Sequence, residues 1–123
     1  GDVHAMSHPV SAYFDVPHGV ANAILLPTIV EYNALADRGK YLKLFNYISL
    51  TPASEAEFEP FMLVDLLTEL NEQLGIPGLL GEVGVTADKF DAMADDAMKS
   101  GNIAVNPRST TKKDVLSLYE KAL

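Results

Sequence analysis

Ser54-Glu55-Ala56-Glu57-Phe58-Glu59-Pro60-Phe61-Met62-Leu63-Val64-Asp65-Leu66-Leu67-Thr68-Glu69-Leu70-Asn71-Glu72-Gln73-Leu74 carries the clearest periodicity in the chain. Ser54 and Glu57 have capping-box spacing, and Leu63, Leu66, Leu67, Leu70 and Leu74 step along one helical face. The pattern stops at Gly75-Ile76-Pro77-Gly78, where glycine suits the position after the last turn and proline cannot continue it. Pro60 either opens the helix proper or kinks a short leading turn.

Working outward, the neighbouring segments read the same way. Thr86 is a good N-cap, with Val85 and Phe90 as a hydrophobic staple, for a helix that runs to about Lys99 and ends at Gly101. A last helix opens near Thr111, has Asp114 at its third position, and aligns Val115, Leu118, Tyr119 and Ala122. Upstream, Val20 to Leu35 is apolar enough for a buried helix that Pro27 should kink. Asp37 to Ile48 reads as a helix with Tyr41, Leu44, Phe45 and Ile48 inward. Clean period-two alternation between tight turns is absent, so the expected class is all-α, with about five to six helices. There is no internal repeat, and the short connectors give no domain boundary, so residues 1–123 form one domain.

Composition narrows the chemistry. Of 123 residues, 48% are hydrophobic, enough for one core. Nine Lys and Arg against 17 Asp and Glu leave a net charge of −8, which repels phosphate backbones and anionic bilayers; no nucleic-acid or membrane partner is expected. With no Cys, disulfides, thiolate metal sites and thiol nucleophiles are excluded. No apolar run approaches the roughly 20 residues of a membrane span. The start, Gly1-Asp2-Val3-His4-Ala5, lacks a basic leader and an apolar leader core and reads as an interior segment of something longer.

All three histidines, His4, His8 and His18, lie in the first 18 residues. If residues 3–11 are helical, His4 and His8 project from one face a turn apart, while His18 sits in Pro17-His18-Gly19 at a turn into the next helix. An i, i+4 pair with a third imidazole from a loop is one way to assemble a metal site, although His-x-x-x-His alone is a weak pattern. On spacing, His4 and His8 would chelate together.

The surrounding residues carry more. Val3-His4-Ala5-Met6-Ser7-His8-Pro9-Val10, then Tyr13-Phe14-Asp15-Val16-Pro17-His18-Gly19-Val20-Ala21-Asn22-Ala23-Ile24-Leu25-Leu26-Pro27 and Glu31-Tyr32-Asn33, closely resembles the signature of the iron-containing (group III) alcohol dehydrogenases. The likeness continues through Leu74-Gly75-Ile76-Pro77, Gly84-Val85, the Ala-rich helix near Ala92 to Met98, Asn106-Pro107-Arg108, Asp114-Val115 and Leu118-Tyr119. It covers essentially the whole chain but only the last third or so of such an enzyme.

The resemblance implies the C-terminal helical, dehydroquinate synthase-like domain, in partial form and without the N-terminal nucleotide-binding domain. It implies that His4 and His18 are ligands of a divalent metal, Fe2+ first and Zn2+ second. His8 then lies by the nicotinamide and substrate as the catalytic and cofactor-contacting histidine. In relatives the other two ligands, an Asp and a His, lie on an upstream helix. Asn102 is a candidate for the substrate pocket. The implied function is hydride transfer between a small primary alcohol or aldehyde and NAD or NADP, in a cytoplasmic homo-oligomer, with the isolated chain inactive. Two departures from the family pattern, Ser11-Ala12 and Thr28, bear on the shape of the substrate pocket. The alternatives are a non-catalytic helical fragment that self-associates, for which surfaces left apolar would favour dimers, and a free-standing three-His metal protein with His8 as a ligand.

Other residues read as structural. Gly75-x-x-Gly78-x-x-Gly81-x-x-Gly84 lacks the strand that a phosphate-binding loop follows, so its glycines are assigned to turns. Met6, Met62, Met93, Met98, Phe45, Tyr47, Phe58 and Phe61 are assigned to the core. Asp88, Asp91, Asp95 and Asp96 are assigned to a solvated helix face, and Arg108 to holding backbone carbonyls.

Overall fold

The computed structural model describes residues 2–34, 36–106 and 108–123, so Gly1, Leu35 and Pro107 lie outside it, as does the C-terminal end expected for the Val20 to Leu35 helix. Among the described residues there are seven α-helices and no strand. They are α1 (Asp2–Phe14), α2 (His18–Asn33), α3 (Arg38–Ile48), α4 (Pro60–Gln73), α5 (Phe90–Met98), α6 (Gly101–Ala104) and α7 (Lys112–Ala122). Short 3₁₀ turns occupy Leu80–Val83 and Ala87–Lys89. The helix beyond the expected number is α6, a single turn opened by Ser100, whose hydroxyl accepts from the backbone N–H of Asn102.

α2 is the spine. It is apolar nearly all round, as a helix packed on several sides must be. Ile24, Leu25 and Ile29 join a core built from α1, α5 and α7, whereas Val30 and Ala34 enter a second cluster with Tyr41 and Phe45 of α3, Phe58 and Leu63. Tyr119 of α7 is fully buried in the first cluster, stacked on Phe90 at 5.3 Å between ring centres, and its hydroxyl donates to the Met6 carbonyl at 2.7 Å. Burial raises that phenol far above its usual range.

Pro27 lies inside an unbroken α2. A proline lacks the N–H that would bond the carbonyl four residues back, here that of Ala23. Asn71 of α4 supplies the missing donor: its Nδ2 donates to the Ala23 oxygen at 2.8 Å. Asn71→Ala is therefore expected to lower stability by about 1 kcal/mol, the cost of losing one hydrogen bond to a partly buried carbonyl. Urea denaturation measures this, and an unchanged midpoint would show that water satisfies the site instead.

Of the two outcomes left open at Pro60, the structure takes the first: Pro60 opens the helix proper, and Ser54 to Glu57 form a separate turn before it. Ser54 and Glu57 do exchange capping-box hydrogen bonds, each at 3.2 Å, but around a single turn. The helix begins at Pro60, in its first position, because proline has fixed φ and no donor to lose there. Arg38 pins the preceding loop, donating from Nη2 to the carbonyls of Glu55, at 2.7 Å, and Phe58. α4 ends in a Schellman arrangement: Gly75 has φ +74°, its N–H bonds the Glu72 carbonyl, and the Ile76 N–H bonds that of Asn71.

Leu44 is exposed, and the leucine face of α4 is buried only at Leu63, with Leu74 72% exposed. Tyr47 (88% exposed) and Phe61 (61% exposed) are surface residues, unlike the core Met6, Met93, Phe45 and Phe58. The α5 region opens with the 3₁₀ turn, and the Thr86 hydroxyl bonds the Asp88 carboxylate, not a backbone N–H. α7 follows the reading closely, with Thr111 and Asp114 in a reciprocal capping box. Asp91 and Asp95 lie on an exposed face and pair with Lys112 at 3.0 and 2.9 Å.

Candidate metal centre

His4 and His8 lie one turn apart on α1, whose helix tolerates Pro9. α1 closes with the Asp15 N–H bonded to the Ser11 carbonyl, and Asp15 takes φ +55°, a left-handed conformation that Asp accepts more readily than most residues. Val16 is buried, and Pro17, preset near its observed φ of −53°, precedes His18 as the first residue of α2. This reversal folds the start of α2 back along α1.

All three imidazoles meet there. Ring centres lie 5.2 Å apart for His4 and His18, 5.1 Å for His8 and His18, and 6.0 Å for His4 and His8. His4 and His8 are exposed and His18 is half-buried, so the cluster opens to solvent. Two imidazoles bound tetrahedrally to one metal at about 2.0–2.1 Å hold their ring centres roughly 5 Å apart. His4 with His18 and His8 with His18 both meet that spacing. Among the described residues, however, no group of three or more His, Asp or Glu side chains is arranged to hold a metal ion. The chemistry of the donors therefore fits two positions of a coordination shell and not a closed site.

Two clefts flank the cluster. One of about 540 Å³ beside His4 is walled by Val3, Gly19, Asn22, Ala23 and Leu26. The other, about 330 Å³, lies beside His8 and is walled by Ala5, Pro9, Ala12, Asp96, Lys99 and Ser100. A larger depression of about 830 Å³ lies away from the histidines, between α2, α4 and α7, and its wall carries Glu31, Glu72, Glu82 and Lys121 but no imidazole. Thr28 lines that distant depression, so of the two departures it is Ala12, not Thr28, that borders an imidazole cleft. Asn102 is half-buried and donates from Nδ2 to Ser100 Oγ at 3.1 Å; Ser100, not Asn102, forms the wall near His8. Tyr13 Oη donates to Asp96 Oδ2 at 2.9 Å, and this bond raises the phenol above its ordinary range. Sequence reading missed Asp96, Lys99 and Ser100, because nothing local signals that the end of α5 packs beside His8.

Arg108 acts structurally: Nη1 donates to the Tyr32 carbonyl at 3.0 Å, and its guanidinium lies 4.0 Å from the centre of the Tyr32 ring. Asp2 is fully buried, and burial pushes its carboxyl above the usual carboxylate range, against the opposing hydrogen bond from Thr110.

The described residues thus form an all-helical fold in which three imidazoles converge at the junction of two helices and face solvent. The C-terminal model of the Fe-containing alcohol dehydrogenase family matches residues 1–123, and the chain belongs to that family. It is 34% identical over 127 residues to a 1,3-propanediol dehydrogenase of Citrobacter freundii, and 37% identical over 123 residues to a lactaldehyde reductase of Escherichia coli (strain K12). Each match takes in 99% of this chain and 32% of the relative. An alcohol dehydrogenase from Oenococcus oeni superposes with a TM-score of 0.92 at 35% identity, and a 1,3-propanediol oxidoreductase with 0.90 at 34%. Both superpositions cover 100% of this chain and 32% of the other. The chain thus spans about a third of the length of the relatives it matches.

Proposed function

We propose that this domain supplies the metal-binding and substrate-facing helices of an NAD(P)-dependent, metal-containing alcohol dehydrogenase that interconverts small primary alcohols and aldehydes. The observation that carries the reading is the convergence of His4, His8 and His18 in a family-matched helical fold. His4 and His18 would hold the divalent cation, Fe2+ or Zn2+. When bound, such a cation acts as a Lewis acid toward the alcohol oxygen, where negative charge develops as hydride leaves for the nicotinamide.

The chain's own residues do the rest of the work assigned to this side. His8, exposed beside the pair, orients the substrate and nicotinamide and passes a proton between the alcohol oxygen and solvent. Val3, Ala23 and Leu26 give the solvent-facing His4 cleft an apolar wall against which the carbon chain of a small alcohol can lie. Asn102 borders the substrate side through Ser100. With two metal donors and no glycine-rich strand-to-helix turn for a dinucleotide, the chain by itself is expected to be inactive. On this reading the complete enzyme is expected to be a cytoplasmic homo-oligomer. No helix among the described residues is long and apolar enough to cross a membrane.

Assay of the full-length protein carrying this domain tests the reading, using short primary alcohols with NAD or NADP after loading with Fe2+ or Zn2+. Turnover is expected in at least one combination; none in any of them overturns the proposal. A second reading, His8 as a third ligand, is favoured by the 5.1 Å separation of the His8 and His18 rings. It requires that His8→Ala sharply weaken metal binding.

A further inference from the structure

Asn106 does not touch the imidazoles, yet its side chain joins the elements that carry them. Its Oδ1 accepts from the backbone N–H of Asp2 at 3.1 Å and from Asn33 Nδ2 at 2.9 Å. Its Nδ2 donates to Asn33 Oδ1 and to the Arg108 carbonyl, both at 2.8 Å. One amide thus ties the first turn of α1, the last residue of α2 and the segment between α6 and α7. Thr110 strengthens the same junction by donating to Asp2 Oδ2 at 2.8 Å.

The partners are buried: Asn33 is 3% exposed and Asp2 is fully enclosed. The Asp2 N–H donates to a side chain outside α1, that of Asn106, and this bond fixes where that turn of α1 sits against α2. His4 lies two residues beyond Asp2, within that turn. α2 begins with His18 and ends with Asn33, and a helix transmits displacement of one end to the other because its hydrogen-bonded turns are stiff.

We propose that Asn106 is a positioning residue for the imidazole cluster, setting the placement of the first turn of α1 against α2 and hence the distance between His4 and His18. Its consequence for metal binding rests on the functional reading above, whereas the placement itself does not. Hydrogen-bonded partners that orient metal ligands typically account for about 10–100-fold in affinity.

The test uses the metal-free chain first. In wild type, NMR should show a cross-peak between the ring protons of His4 and His18. Asn106→Ala should weaken it at least about threefold and speed amide exchange in the first turn of α1. Asn106→Asp, which keeps both acceptor bonds and loses both donor bonds, should fall between. Asn71→Ala is the control, since it loosens the α2–α4 contact and leaves the cross-peak intact. If either Asn106 variant fails to fold, Asn33→Ala removes the same amide pair from the other side and is read in its place. A wild-type cross-peak in the Asn106 variants, or equal weakening in Asn71→Ala, overturns the proposal. Co2+ titration is the second readout: Asn106→Ala is expected to bind about tenfold more weakly than Asn71→Ala. Absence of Co2+ binding by the wild-type chain would count against the metal reading of His4 and His18, and the cross-peak would still decide the role of Asn106.

Discussion

His18→Ala is expected to weaken Co2+ binding by the chain at least about 10–100-fold, and His4→Ala by a similar factor, because a direct ligand contributes no less than the outer-shell groups that orient one. His8→Ala should stay within about threefold of wild type. The asymmetry follows from the proposed pairing of His4 with His18, which the family resemblance implies; ring spacing by itself admits His8 equally, since both rings lie about as far from His18. Isothermal titration with the three variants separates the readings. A large loss in His8→Ala, equal to that in His18→Ala, would establish the three-imidazole site and remove His8 from the proton-passing role. Unchanged affinity in His18→Ala would sink the metal assignment altogether. In the full-length protein, His8→Ala should instead reduce turnover while metal content stays constant.

Tyr119→Ala is expected to cost about 3–5 kcal/mol, the usual range for deleting a large buried aromatic. That is a substantial share of the roughly 5–15 kcal/mol that holds a domain of this size together. Tyr119 is fully buried, stacks on Phe90 and bonds the Met6 carbonyl, so its loss opens a cavity where α1, α5 and α7 meet. Tyr119→Phe keeps the ring and removes only the hydroxyl, and should cost about 1 kcal/mol. Chemical denaturation of the pair apportions ring and hydroxyl. If Tyr119→Phe cost as much as Tyr119→Ala, the hydrogen bond to α1, not packing, would be the larger contribution.

Much of the fold was legible where the signal is local. The capping pair Thr111 and Asp114, the glycine stop at Gly75 and the buried face of α7 depend on residues three to four apart, and they appear as read. Reading failed where a distant partner decides. At Pro60 the sequence offered two outcomes, and the choice that it opens the helix proper goes with a loop held from a distance by Arg38 of α3, which no local spacing shows. Tyr47 and Phe61 are apolar in kind but lie on the surface, because hydrophobicity records what a side chain tolerates and not which face its helix turns inward. Likewise, the i, i+4 spacing of His4 and His8 gave no hint that each ring lies nearer to His18 than to the other.

The amino-acid sequence by itself determined the helical class, the acidic thiol-free chemistry, the family and the identity of the three imidazoles. These follow from composition, short-range periodicity and motif residues, none of which requires the chain to be folded. Only the tertiary structure decided that the three rings share one solvent-facing site, that Asn71 supplies the donor Pro27 lacks, and that Asn106 joins both histidine-bearing helices. His18 lies 10 or more positions from the two histidines it joins, and the two asparagine contacts span 48 or more. Such contacts form because burying apolar surface brings helices together, and buried polar groups must then find partners across the interfaces so created.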